Sequence, residues 1–203
     1  MKKSILVGLS CLSASIATAA VVVPESCLLC QSVQGKEPFL SCLYDCLNSK
    51  QEETQKAQVD AEKAGWRLKE LTSEMDDSKS RVAMKYSEDT FKYITKTVRP
   101  SLFILAEVGT NKRHIFVNFA PAKVLANPFE ENVVVRVDKN KAIRMRAETA
   151  WDNEALLIGS KELESQLRTG KVLKVRAQPF GGDTQTFTFD LTGSESALDW
   201  CLK

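Results

Sequence analysis

VVVRVDKNKAIRMR, residues 133–146, alternates apolar and polar side chains on either side of an Asp-Lys-Asn-Lys turn. Successive side chains of a strand point to opposite faces, so Val133, Val135 and Val137, then Ile143 and Met145, each share one face. The polar turn, Asp138-Lys139-Asn140-Lys141, is the punctuation that antiparallel neighbours use. Arg136, Arg144 and Arg146 fall on the opposite face if the strands are neighbours, with Lys174 and Arg176 as further candidates. Such a cluster suits acidic groups of a protein or an envelope polymer. The alternative is a solvated face that discourages edge pairing.

The same period recurs outward in both directions. Phe187, Phe189 and Leu191 alternate with Thr186, Thr188 and Asp190, and Leu173 and Val175 extend the series. Upstream, Ile115, Val117 and Phe119 alternate with His114 and Asn118; Val82, Met84 and Tyr86 alternate with Arg81 and Lys85 and are expected to face the core. Leu102 to Val108 is apolar on both faces, as a central strand is. Turns are expected at residues 75–78, 109–112 and 181–183. A helix from Ser160 to Arg168, capped by Ser160 and stopped at Gly170, and a last helix from Ser194 to Leu202 complete the pattern. The expected fold is all-β dominated (α+β): an antiparallel β-sandwich with peripheral helices over residues 65–203.

MKKSILVGLSCLSASIATA, residues 1–19, has a basic start, a short apolar run and a small-x-small end, the pattern of a cleaved export signal. Ser10, Ser13, Ser15 and Thr18 interrupt the run too often for a bilayer span. Cys11 as an acylated lipoprotein cysteine is a rival, weakened by the poor Gly8-Leu9-Ser10 before it. Losing Lys2 and Lys3 with the signal leaves 26 basic residues against 26 acidic ones, a balance that argues against nucleic acid as partner. No later segment approaches bilayer length, so the mature chain is expected to make no stable membrane insertion, in the periplasm or secreted.

Between signal and strands, residues 20–64 hold CLLCQSVQGKEPFLSCLYDC, residues 27–46, with four cysteines. Spacings of three and four put each pair on one helix face, and Gly35-Lys36 makes the turn of a helical hairpin. Antiparallel pairing joins Cys27 to Cys46 and Cys30 to Cys42, among the three connectivities that four cysteines permit. Export favours disulfides. Zinc binding and a thiol oxidoreductase using Cys27 and Cys30 are the alternatives, the second lacking a βαβ setting. A polar helix running on to Gly65 links the hairpin to the strands. Cys201 is left over, as a buried small residue or a handle for an intermolecular bond.

No catalytic constellation is recognisable, and no cofactor or metal site is expected. His114 is the sole histidine, with no nucleophile near it in sequence, and HExxH, GxSxG and phosphate-loop motifs are absent. Asp76 and Asp77, in a turn, are read as backbone acceptors before they are read as catalytic or calcium-binding carboxylates.

Several of these residues stand in an order similar to a known family. Ser41-Cys42-Leu43-Tyr44-Asp45, Trp66 with Ser73-Glu74-Met75-Asp76-Asp77-Ser78, Arg99-Pro100-Ser101-Leu102, Val135-Arg136-Val137-Asp138, Trp151, the LESQL segment, Phe189-Asp190-Leu191-Thr192-Gly193, Ala197-Leu198 and the Trp200-Cys201 pair carry the likeness. Together they resemble the periplasmic accessory proteins associated with type VI secretion, the TagO or VasI family. The resemblance implies a non-enzymatic accessory role with a protein partner in the cell envelope. Where that family tends to carry a cysteine this chain has Ala106, which leaves Cys201 without the partner the family would supply, and residues 89–98 read as an insertion.

Overall fold

The computed structural model describes residues 25–33, 36–110, 112–125 and 133–202. The export signal and Cys11 lie outside the described residues. Alternation in the sequence becomes an antiparallel, two-sheet α+β sandwich. The first sheet has six strands in the order β1 (Arg67–Thr72), β2 (Lys79–Tyr86), β5 (Ser101–Glu107), β6 (Arg113–Asn118), β11 (Ala155–Leu157), β10 (Glu148–Ala150). The second orders β13 (Gln185–Asp190), β12 (Val172–Pro179), β8 (Val133–Val137) and β9 (Ile143–Met145), with β7 (Val124–Leu125) also paired to β12. Val133, Val135, Val137, Leu173, Val175, Phe187 and Phe189 face inward and are buried. Leu102, Ile104, Ala106, Ile115, Val117 and Leu156 meet them from the first sheet. The segment from Asp89 to Val98 contributes a small hairpin, β3 (Phe91–Tyr93) and β4 (Lys96–Val98), that the alternation did not announce. Its Phe91 closes a cluster with Phe119 and Phe187, ring centroids 5.3–6.3 Å apart.

Strand β2 is turned the other way from the expectation. Ala83 is its core residue, and Val82, Met84 and Tyr86 lie on the outer face. The reason lies in the helices. α1 (Lys36–Lys63) and α3 (Ser194–Leu202) end over the inner face of this sheet, and their last carbonyls need donors. Arg81 donates to the Trp200 carbonyl at 3.0 Å with its guanidinium over the Trp200 ring. Lys85 donates to the Ala64 carbonyl and stands 5.9 Å from the Trp66 ring. Cations stabilise helix C-termini, and their aliphatic stems cover apolar surface on the way.

α1 is one continuous helix from the hairpin to the sandwich. Most of it is solvated, but Ala57 and Ala61 are buried in the core, so its far end is seated and not a free linker. Gly65, at φ +83, reverses the chain into β1, a conformation only glycine adopts without strain. α2 (Lys161–Thr169) starts at the Ser160 cap, whose hydroxyl accepts the Leu163 N–H at 3.1 Å, and buries Leu163 and Leu167. Trp66 Nε1 donates to the Thr192 carbonyl at 2.9 Å, tying the α1–β1 corner to the turn before α3.

That corner is acid-sensitive. Burial raises the Asp190 carboxyl, but the Thr192 N–H and hydroxyl bonds and the Lys85 ammonium at 3.4 Å outweigh it and hold it below the usual carboxylate range. A pKa lower in the folded chain gives stability that is complete above the unfolded value of about 3.9 and is lost as pH falls through the folded one. Urea midpoints measured from pH 5 downward are expected to fall less steeply for Asp190→Asn than for wild type; parallel slopes would contradict this role.

Candidate functional site

The four cysteines close two disulfides, Cys27–Cys46 and Cys30–Cys42, each with Cα atoms 5.8 Å apart. They pin a 3-10 helix, Glu25–Ser32, against the start of α1. As disulfides the cysteines offer neither zinc ligands nor free redox thiols, and among the described residues no metal-ligating cluster occurs. Disulfides of this kind place the chain in an oxidising, non-cytoplasmic compartment. Cys201 is 2% exposed on α3, its thiol 3.6 Å from the Ile104 carbonyl, and burial pushes its pKa up to about 12. The intermolecular bond considered for it is therefore corrected: the sulfur is packed against β5 and is no handle in the folded chain.

Asp76 behaves as a turn residue. Its Oδ1 accepts the Ser78 N–H at 3.2 Å and the Ser78 hydroxyl at 2.8 Å, and hydrogen bonds from Ser73 and Ser78 hold the carboxyl low. Asp77 sits at φ 56 in the same turn.

The outer face of the second sheet gathers the cations. Register places Arg136 opposite Lys174, and Val134 between Arg144 and Arg176. Directly opposed residues of an antiparallel pair share a face. Arg136, Arg144, Lys174 and Arg176 are all exposed on that face, and none has an ion-pair partner among the described residues. Thr186 and Thr188 continue the two rows onto β13. Arg146 does not join them. Pairing with β8 ends where Met145 meets Val133, and the chain then crosses to the first sheet, entering β10 at Glu148. Arg146 lines a cleft there, with His114.

Sequence reasoning missed the outer face of the first sheet. Met84, Phe103, Phe116 and Leu157 stand in one row across four strands, with Val82 and Leu105 in the next. Phe103 and Phe116 stack at 4.9 Å, and Trp151, 53% exposed, meets Phe116 edge-on at 4.3 Å. The apolar residues on both faces of β5 were the signal: its second face lies on this row and is half-exposed.

Fold and surfaces together define a disulfide-stapled α+β sandwich with one cationic sheet face. No family model matches the chain, and no curated protein does. Among solved structures, the crystal structure of invasion associated protein b from Bartonella henselae is similar over 66% of this chain and 89% of that one, at 16% identity and a TM-score of 0.43.

Proposed function

We propose that this chain is an exported, non-catalytic interaction protein of the cell envelope that docks an acidic partner protein on the outer face of its second sheet. The observation that carries the reading is the cluster of Arg136, Arg144, Lys174 and Arg176 on one sheet face, with no ion-pair partner among the described residues. Cations that serve only to stop edge pairing belong on edge strands. Lys174 and Arg176 lie on β12 and Arg136 on β8, both interior to their sheet. Recognition of acidic side chains fits this arrangement, because guanidinium groups take carboxylates in two-pronged geometry.

The hairpin serves as a second contact or spacer. Leu40 and Tyr44, four apart on α1, are 50% and 67% exposed beside the staple. The export-signal pattern and the likeness to periplasmic accessory proteins support the periplasm as the compartment, with secretion to the exterior as the rival, and a type VI secretion apparatus as the setting. An anionic envelope polymer is the second reading, favoured by cations in adjacent strands and adjacent rows, a continuous track for a repeating charge.

Capture from an envelope extract tests the proposal. The oxidised wild-type chain is expected to retain a partner that Arg136→Glu/Lys174→Glu loses, and the retained material is expected to fall away as salt rises. Equal retention by both chains would contradict a role for this face.

A further inference from the structure

A second cationic site lies apart from the sheet face and does not depend on it. The start of β6, the end of β11, the link from β9 to β10 and the first turn of α2 enclose an open cleft of about 910 Å³. Arg113, Arg146, Lys161 and His114 line it, and Leu157, half-buried on the outer face of the first sheet, is the apolar side chain beside them. Glu164 holds Arg113 by a 2.6 Å ion pair, so that charge is compensated within the wall. Arg146 and Lys161 have no ion-pair partner among the described residues, and Glu148 is the remaining acid on the lining.

The helix adds to this. Ser160 takes the Leu163 N–H, and the Glu164 N–H returns to the Ser160 carbonyl at 2.9 Å. The N–H groups of Lys161 and Glu162 precede the first intrahelical bond and are left to outside acceptors at the positive end of the helix dipole. Two cations without an ion-pair partner among the described residues and a helix N-terminus therefore converge on one concave space, of the size that small ligands occupy.

We propose that this cleft binds a small organic oxyanion, its carboxylate or phosphate group held by Arg146, Lys161 and the first turn of α2, and its uncharged body lying beside Leu157. Glu148 sets the limit on charge, since a carboxylate on the same lining disfavours a ligand anionic at both ends. The assignment gives Arg146 a role separate from the sheet-face arginines.

His114 makes the test simple, because the sole histidine gives a single imidazole signal. In the oxidised chain, that signal is followed by NMR during titration with benzoate and with phenyl phosphate, each one oxyanion on an uncharged ring, at constant ionic strength set with sodium chloride. Saturable movement with either probe is expected, the arms separating carboxylate from phosphate preference. Arg146→Ala and Lys161→Ala should each weaken it about tenfold, the size of one lost charge-assisted bond. Arg144→Ala, on the sheet face, should leave it unchanged. No saturable movement with either probe, or equal titrations in wild type and Arg146→Ala, would overturn the proposal.

Discussion

Phe187→Ala is expected to lower the free energy of unfolding by about 3–5 kcal/mol, the usual range for truncating a fully buried aromatic. Phe187 is 1% exposed, and its ring packs against Phe91 and Phe119 at 5.6 and 5.3 Å. The truncation leaves a cavity that the neighbours cannot fill: Phe91 belongs to a short hairpin, and Phe119 is fixed by its backbone bond to the Glu154 carbonyl. Loss of the ring also frees the β3–β4 hairpin, whose anchors in the core are Phe91 and Val98. Phe180→Ala is the control. That side chain is 57% exposed, and its loss should stay within about 0.5 kcal/mol. Urea denaturation of both variants measures the contrast, and similar midpoints would mean that the two sheets are not cemented at this cluster.

Removing both disulfides, by serine at all four cysteines, is expected to unfold the 3-10 helix and the first turns of α1 while leaving the sandwich intact. A 3-10 segment of eight residues is longer than this helix type usually sustains alone. Its buried side chains among the described residues are Cys27 and Cys30, the bonded ones, and Leu29 is 80% exposed. Each bond closes 12 or 19 residues, worth about 3 kcal/mol apiece in the chain-entropy model. Among the described residues no comparable apolar burial replaces that. α1, by contrast, is held at its other end by Ala57 and Ala61 in the core. Hydrogen exchange should therefore rise over residues 25–46 and stay slow in β5 and β12. Fast exchange spreading into those central strands would show that the hairpin supports the whole domain.

Much of this architecture could be read from residue pattern alone, and the failures have physical causes. The valines of β8, the alternation of β12 and β13, the bounds of α3 and the disulfide state of the four cysteines follow from local periodicity and from compartment, while the choice among three connectivities needed the structure. Strand β2 did not follow. A period of two separates two sets of side chains but does not say which set faces inward. Arg81 and Lys85 were drawn inside by carbonyls at the ends of α3 and α1, partners distant in the chain. Position 83, an alanine, leaves room for the helix above it. The sheet-face cluster was half legible for the same reason. Arg136 and Arg144 lie within paired strands, whereas Arg146 lies one residue past the last pair, where alternation no longer fixes direction. The cleft was not legible at all, since β6, β11 and α2 meet there only in three dimensions.

The docking face is the central claim, and crosslinking in living cells tests it most directly. A photoreactive residue placed at position 174 lies in the middle of the cationic face, and one placed at position 69 lies on β1 of the other sheet. Irradiation is expected to give a discrete adduct to an acidic envelope protein from position 174 and none from position 69. No adduct from 174, or the same adduct from both positions, would contradict the account.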